Sequence, residues 1–440
     1  MVPISPQRRR DIIDALRRGT VPRAGLGLLA VGLDRFDQAI DAELDTVVQG
    51  GAIFKAVRGE YGSGKTFFGR WLQECARRRG LATSEVQISE TETPLHRLET
   101  VYRRLIEQLA TDDAPQAAFR SVVDRWFYVM EQDVLAEGTI DERDADRLAA
   151  RVNDLLEQRL ATVSRSAPAY ATALRAYRAA QLRGDRATAD GLRAWIAGQP
   201  NVGASVKREA GLKGDLDHFG AMAFLQGLLV VLRDAGHPGL VLVLDEVETL
   251  QRIRGDVREK ALNALRQLID DVDTNRFPGL YLAMTGTAAF YDGPQGAQRL
   301  QPLAQRLHVD FGSDPRFDNP RAVQVRLPNF DHASLVAVGC RVRDIYVQHS
   351  AAAERISRTI DDAYVGTLAS AVAGALGGRV GVAPRVFLKK LVSDVLDRVD
   401  QFPDFDPRQH YALTVAAQEL TPAERAASSG ASPDDIEIPL

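Results

Sequence analysis

An eight-residue run, Gly59-Glu60-Tyr61-Gly62-Ser63-Gly64-Lys65-Thr66, constrains this chain more than any other feature. It follows the pattern G-x-x-x-x-G-K-[ST]. A short apolar stretch, Ala52 to Val57, precedes it, and a helical pattern runs from Lys65 to Arg79, so the run sits between a strand and a helix. In that setting the glycines let backbone N–H groups curl around phosphates, and the helix N-terminus adds the positive end of its dipole. Lys65 is then placed for the β and γ phosphates of a nucleotide and Thr66 for Mg²⁺. A chance glycine-rich turn has no reason to fall between these two elements.

A second strand completes the expectation. Leu240 to Leu244 is five consecutive apolar residues, as in a central parallel strand, and it ends in Asp245-Glu246. An Asp at a strand end can orient a Mg²⁺ shell, and the adjacent Glu can polarise an attacking water. An acidic residue after an apolar strand is common, and the pair gains its meaning from the phosphate loop. The following strand, Tyr281 to Thr287, closes with Thr285 and Thr287. Either hydroxyl could help place that water, and either could simply be a β-favouring residue at a strand end.

Around these motifs strands and helices alternate, which implies an α/β fold with a doubly wound parallel sheet. Short strands fit Ser84 to Ile88, Leu280 to Met284 and Ala322 to Leu327; helices fit Leu33 to Val48, Leu95 to Leu109, Phe219 to Leu232 and Arg258 to Val272. From about 111 to 214 the chain is rich in Ala and Arg, with helical periodicity broken at Pro115, Pro168 and Pro200, and reads as a long helical insertion. After Pro328 the pattern is helical again, over Ser334 to Gln348, Asp361 to Leu376 and Pro384 to Val399, as a C-terminal helical lid. Thr421 to Leu440 has the composition of a disordered tail.

At 440 residues, 45% hydrophobic and 26% charged, the chain has the composition of a soluble protein larger than one ordinary domain. No apolar run approaches membrane-spanning length, and Arg8, Arg9 and Arg10 are not followed by a signal-peptide core, so the cytoplasm is expected. Two cysteines, Cys75 and Cys340, exclude a disulfide framework and a four-cysteine zinc site; both are expected to be buried and inert. The seven histidines lack ligand spacing, and a net charge of −4 leaves DNA binding open. Arg77, Arg78 and Arg79 fit a helix C-terminus, and Trp71, Trp126 and Trp195 fit a core.

This order of parts resembles the AAA+ superfamily, in the branch of the Cdc6-like initiators and STAND ATPases. Val31-Gly32-Leu33-Asp34-Arg35 is similar to the box that closes over adenine there, and Gly381-Val382-Ala383-Pro384-Arg385 to the sensor 2 motif that brings a lid arginine onto the γ phosphate. Pro384 at a helix start would fix where the Arg385 side chain leaves the backbone. Together with Gly19-Thr20-Val21-Pro22, Ala30-Val31-Gly32 and Leu244-Asp245-Glu246-Val247-Glu248, the pattern resembles the BREX-type ATP-binding protein family. That resemblance implies a bacterial phage-defence ATPase using ATP and Mg²⁺, commonly encoded near a helicase-like partner, and no particular substrate follows from it; the full set of motifs leads us to expect an oligomer acting on DNA or such a partner. The resemblance to the superfamily covers about Gly25 to Val399, and the chain is expected to divide into an AAA+ core over 1–330, a lid over 331–400 and an extension over 401–440. An arginine finger is expected in such rings, and Arg306, before the last strand, is the candidate, with Arg299 the alternative. A surface ion pair is the competing reading of Arg306.

Three function classes compete. An energy-transducing ATPase uses the full set of parts. A nucleotide-dependent switch or scaffold with slow turnover agrees with the lack of a recognisable pore-loop motif or winged-helix segment. A small-molecule kinase shares the phosphate loop but does not explain Asp245-Glu246 followed by a threonine-ended strand and an arginine-bearing lid.

Overall fold

Five short strands form one all-parallel sheet in the order β2-β3-β4-β1-β5: β1 is Ile53–Arg58, β2 Ala82–Gln87, β3 Leu240–Asp245, β4 Leu280–Gly286 and β5 Gln324–Arg326. The computed structural model describes residues 4–141, 143–376, 384–421, 424 and 425. Both faces of the sheet are covered, so the central strands β3 and β4 are buried at every position and nearly continuously apolar rather than alternating. The two-residue period still decides which core each side chain joins. In β3, Val241 and Val243 join one core while Leu240, Leu242 and Leu244 join another. The edge strand β5 is shorter than the expected Ala322 to Leu327 and pairs with β1 alone. Its ladder nevertheless reaches further: Val323 accepts from Ala56 N–H and Leu327 donates to Arg58.

Helices α1 (Pro6–Arg17), α2 (Leu26–Leu29) and α3 (Asp34–Val48) precede β1, and α4 (Lys65–Arg77) follows the glycine-rich loop. α3 and α4 cover one face, where Phe36, Ile40, Phe68, Trp71 and Leu72 pack on Val57, Val243 and Tyr281. The opposite face carries α5 (Leu98–Glu107), α11 (His218–Asp234) and α12 (Gly255–Asp273). Between α5 and α11 lies the helical insertion, α6 (Phe119–Ala136), α7 (Ala145–Ser166), α8 (Pro168–Leu182), α9 (Arg186–Ile196) and α10 (Ala204–Glu209). It shares a single apolar core with the sheet. Phe224 on α11 is the hub of that core, with ring centroids 5.0 Å from Tyr170, 5.4 Å from Trp195 and 5.7 Å from Tyr102. Tyr170 and Trp195 belong to the insertion and Tyr102 to α5, so the insertion is built onto the sheet layer. All three tryptophans are buried, as expected.

After β4 come α13 (Ala288–Asp292) and α14 (Gln301–Leu307), and after β5 the C-terminal helices α15 (His332–Val347), α16 (Ala353–Thr359), α17 (Asp362–Ala375), α18 (Pro384–Lys390) and α19 (Asp397–Gln401). These C-terminal helices form a third core, and α1 belongs to it: Ile12, Ile13 and Leu16 pack with Val342, Phe387 and Leu391. Polar contacts agree, since Arg17 Nε donates to Asp397 at 2.7 Å and Ile4 N–H to Gln348 at 3.0 Å. The expected uninterrupted helix from Pro384 to Val399 is instead interrupted by a π-helical turn over Leu391–Leu396. The wider turn keeps Leu391, Val392, Val395, Leu396 and Val399 all on the buried side.

Two smaller expectations are corrected. Cys75 is buried, but Cys340 is only half-buried; its thiol donates to Asp362, and desolvation with that carboxylate pushes it up to about 11, which keeps it protonated. In the expected disordered tail, Thr421, Glu424 and Arg425 are placed and Glu424 is buried; its other residues, and Gly381 to Ala383, lie outside the described residues. Among the described residues no helix is long and apolar enough to cross a membrane.

Candidate functional site

β1 ends at Arg58 and the chain turns at once through Gly59 to Gly64 into α4. Gly62 and Gly64 have φ of +83° and +90°, a region that side-chain-bearing residues rarely adopt. A Cβ on Gly59 would lie 2.2 Å from Ser63 Oγ, so the loop closes only around a hydrogen there. Lys65 folds back along the loop, with Nζ donating to the carbonyls of Gly59 at 3.0 Å and Glu60 at 3.4 Å. Ser63 Oγ is buried with no partner in the protein, a polar atom facing the hollow of the loop that a phosphate oxygen would satisfy.

The sheet order sets β3 and β4 beside β1, which brings three distant segments onto Asp245. Thr66 Oγ1 donates to Asp245 Oδ2 at 2.8 Å, and Thr285 Oγ1 donates to Asp245 Oδ1. The same Thr285 oxygen accepts from Glu246 N–H at 3.2 Å. Sequence reasoning left Thr285 and Thr287 undecided, and the strand register separates them: Leu244 faces Met284, so Thr285 falls opposite Asp245. Thr287 stands just before α13 and is buried; neither threonine lines the cleft itself, and Thr285 acts on it through Asp245 and the Glu246 N–H.

Glu246 has φ +61°, an uncommon conformation for a residue with a side chain and one that clusters at functional sites. Its carboxylate accepts from Gln87 Nε2 at 2.8 Å, at the end of the neighbouring strand. One turn on, Glu248 also enters the site, with Oε1 3.5 Å from Lys65 Nζ and Oε2 buried without a hydrogen-bond partner. Burial pushes the Glu248 carboxyl up from its ordinary value, and the Lys65 charge opposes that only in part. Neither Gln87 nor Glu248 was singled out from sequence. The signal for Glu248 was its place three residues after Asp245, on the first turn after the strand.

The phosphate loop and the three carboxylates face a cleft of about 390 Å³. Lining it are Tyr61 to Thr66, Asp245, Glu246 and Glu248 on the polar side, with Val21, Pro22, Val31, Gly32, Leu327 and Phe330 among the facing residues. Gly59 and Glu60 support the loop from behind through the Lys65 contacts. Arg385, at the start of α18, also reaches the cleft, but its guanidinium is engaged by Glu424, with Nε donating to Oε1 at 2.8 Å. Arg306 and Arg299 do not line the cleft. Arg306 pairs with Asp270 on α12, and Arg299 stands near the start of that helix, beside Gly255. For Arg77, Arg78 and Arg79 the helix-end reading fits: they bond Thr83, Cys75 and the carboxylates of Asp41 and Asp45.

The donor set suits a nucleoside triphosphate with a divalent cation: a backbone cradle open to phosphate, a lysine, and a hydroxyl and carboxylate 2.8 Å apart. No curated protein matches the chain. The model of the family described as BREX system ATP-binding protein BrxC/D matches residues 4–415, nearly the whole of it. The chain belongs to that BREX system ATP-binding family.

Proposed function

We propose that the chain binds ATP with Mg²⁺ in this cleft and hydrolyses it, as an AAA+ ATPase of a bacterial phage-defence system. The observation that carries this reading is the convergence of Lys65, Thr66, Asp245, Glu246 and Thr285 from three parallel strands onto one loop. The sheet order β2-β3-β4-β1-β5, with β3 beside β4 and β4 beside β1, supports the AAA+ assignment. On this reading residues 1–330 are the ATPase core with its insertion over 111–214, 331–400 are the helical lid and 401–440 the extension. Loop N–H groups and Lys65 hold the phosphates, with Val31 and Gly32 facing the base. Thr66 and Asp245 would hold Mg²⁺, which neutralises charge on the phosphates. Glu246 takes the proton from the water that attacks the γ phosphorus, and Thr285 fixes Asp245 and the Glu246 backbone in register. ADP and inorganic phosphate leave. We further propose a homo-oligomer in the cytoplasm acting on DNA or a helicase-like partner, with Arg306 or Arg299 presented to a neighbouring subunit.

A second reading, a switch with slow turnover, draws on a specific observation. Lys65, Glu246 and Arg385 are each engaged within the chain, by Glu248, Gln87 and Glu424. Steady-state phosphate release and sedimentation, with and without DNA, separate the two: stimulated turnover with assembly supports the motor, and a stable ATP-bound monomer the switch. Glu246→Gln keeps the side-chain shape and loses the base, so it is expected to retain ATP while turnover falls by about 10²-fold or more. Normal turnover in that variant removes Glu246 from this role.

A further inference from the structure

The chain beyond residue 415, where the family match ends, returns to the cleft. Leu420 is buried in the third core, and Glu424 is 2% exposed and lines the cleft wall. Its carboxylate takes Arg385 in a two-pronged contact, Nε to Oε1 at 2.8 Å and Nη2 to Oε2. Nη2 also donates to the Glu419 carbonyl at 2.6 Å. Thr421 and Glu424 cap one another, Thr421 N–H donating to Glu424 Oε2 at 2.8 Å and Glu424 N–H to Thr421 Oγ1 at 3.3 Å. One residue earlier in the chain than Leu420, Glu419 bonds Lys390 at 2.9 Å and lies 3.6 Å from Lys389, both on the helix that Arg385 begins.

A capping box alone stabilises a local turn and can sit in water. This one is buried against a cleft arginine, and that difference has a consequence. A guanidinium binds carboxylate and phosphate through the same fork of donors, so Arg385 can satisfy one of them at a time. A buried carboxylate on the wall also repels a polyphosphate entering the same space.

Resting on the reading that this cleft binds a nucleoside triphosphate, we propose that residues 416–421 together with Glu424 are an autoinhibitory latch. Glu424 occupies Arg385 in the nucleotide-free protein, and the phosphates of the nucleotide displace it. Binding of the triphosphate thereby frees residues 416–421 and Glu424 from the cleft wall, which converts the occupancy of the cleft into a change in that segment.

The test uses the full chain and two readouts, calorimetric titration with ATP and Mg²⁺ and hydrogen exchange at the amides of 416–421. Glu424→Gln is expected to bind ATP about tenfold more tightly than wild type, because the neutral amide no longer competes for the guanidinium. ATP is expected to speed exchange at 416–421 in wild type. Should Glu424→Gln fail to fold, Thr421→Ala loosens the same seat without touching Arg385 and is expected to shift affinity in the same direction. Unchanged or weakened ATP affinity in the variant that folds, or exchange at 416–421 that ATP leaves unaltered or slows, overturns the latch. If wild type does not bind ATP, or Lys65→Ala binds it equally well, the nucleotide reading itself fails, and the two failures are told apart.

Discussion

Glu248→Gln is expected to tighten ATP binding, and the structure supplies the size of the effect. Lys65 Nζ and Glu248 Oε1 are 3.5 Å apart, with side chains only 9% and 13% exposed. At an effective dielectric near 20 the gross attraction across that distance is about 5 kcal/mol. Desolvating both ions cancels much of it, and a charge-assisted contact nets about 1.5–3 kcal/mol. A nucleotide must take Lys65 away from this partner and leave the Glu248 charge beside its own phosphates. Removing the charge with an isosteric amide should therefore lower Kd by about 10–100-fold. The sign with pH follows. Burial raises the Glu248 pKa, and binding, which withdraws the lysine and adds phosphate charge, raises it further, so binding takes up a proton. Wild-type affinity should then rise as pH falls toward that raised pKa, and Glu248→Gln should lack this component. Folding follows the same rule. A folded pKa above the unfolded value favours the protonated form, so nucleotide-free wild type should lose stability as pH rises through it. Calorimetric titration with ATP and Mg²⁺ across pH measures the affinity effect; an equal Kd and an equal pH slope in the two proteins would refute the reasoning.

Lys65→Ala is expected to weaken ATP binding by about a hundredfold or more, since it removes the one lysine inside the loop; calorimetry that finds unchanged affinity removes the site. Arg306→Ala separates two readings by size. Loss of a surface pair with Asp270 costs only ~0–1 kcal/mol and leaves turnover near wild type, whereas loss of a finger acting on a neighbouring subunit costs about 10³-fold in rate and should be partly rescued by mixing with Lys65→Ala.

The parts of the site that sequence made legible are those whose chemistry is local. Gly59 to Thr66 carries its own spacing, and the apolar run before Asp245 marks a buried strand whatever surrounds it. The helical character of residues 111–214 was legible from their periodicity, although helices also break away from the prolines, between Ala136 and Ala145 and between Leu182 and Arg186; their union with the sheet core through Phe224, Tyr170 and Trp195 was not legible. Aromatic spacing on a helix says which face is apolar and nothing about which partner it meets. Thr285 was distinguished from Thr287 only by strand register, which single-sequence periodicity does not give. Gln87, Glu248 and Glu424 share one obstacle. Each is an ordinary polar residue whose role arises from a partner brought to it by the topology: Glu246, Lys65 and Arg385. The π-helical turn in Leu391–Leu396 replaced an expected regular helix for a similar reason, because its apolar pattern fits both windings and packing chooses.

The cleft also stands where two cores meet, and the energies there are small. α2 divides its leucines, Leu26 going to the core beneath α4 and Leu29 to the core of the C-terminal helices, and Phe67 at the start of α4 packs against both. The polar ties across this seam include Arg8 to Glu74 at 3.2 Å, with the arginine side chain 46% exposed, and Arg341 to the carbonyl of Ala30. An exposed ion pair such as Arg8–Glu74 contributes ~0–1 kcal/mol. A ligand present at a hundred times its Kd stabilises the form that binds it by about 2.7 kcal/mol. A nucleotide touching both the glycine-rich loop and Arg385 would thus outweigh such a tie, provided its affinity differs between arrangements of the two cores. Arg385, which lines the cleft, is the arginine that Glu424 holds, so the tail contact bears directly on the nucleotide's hold on the cleft. Weakening Glu424 should lower the nucleotide concentration at which the cores change their relation, and weakening the seam alone should not free the tail.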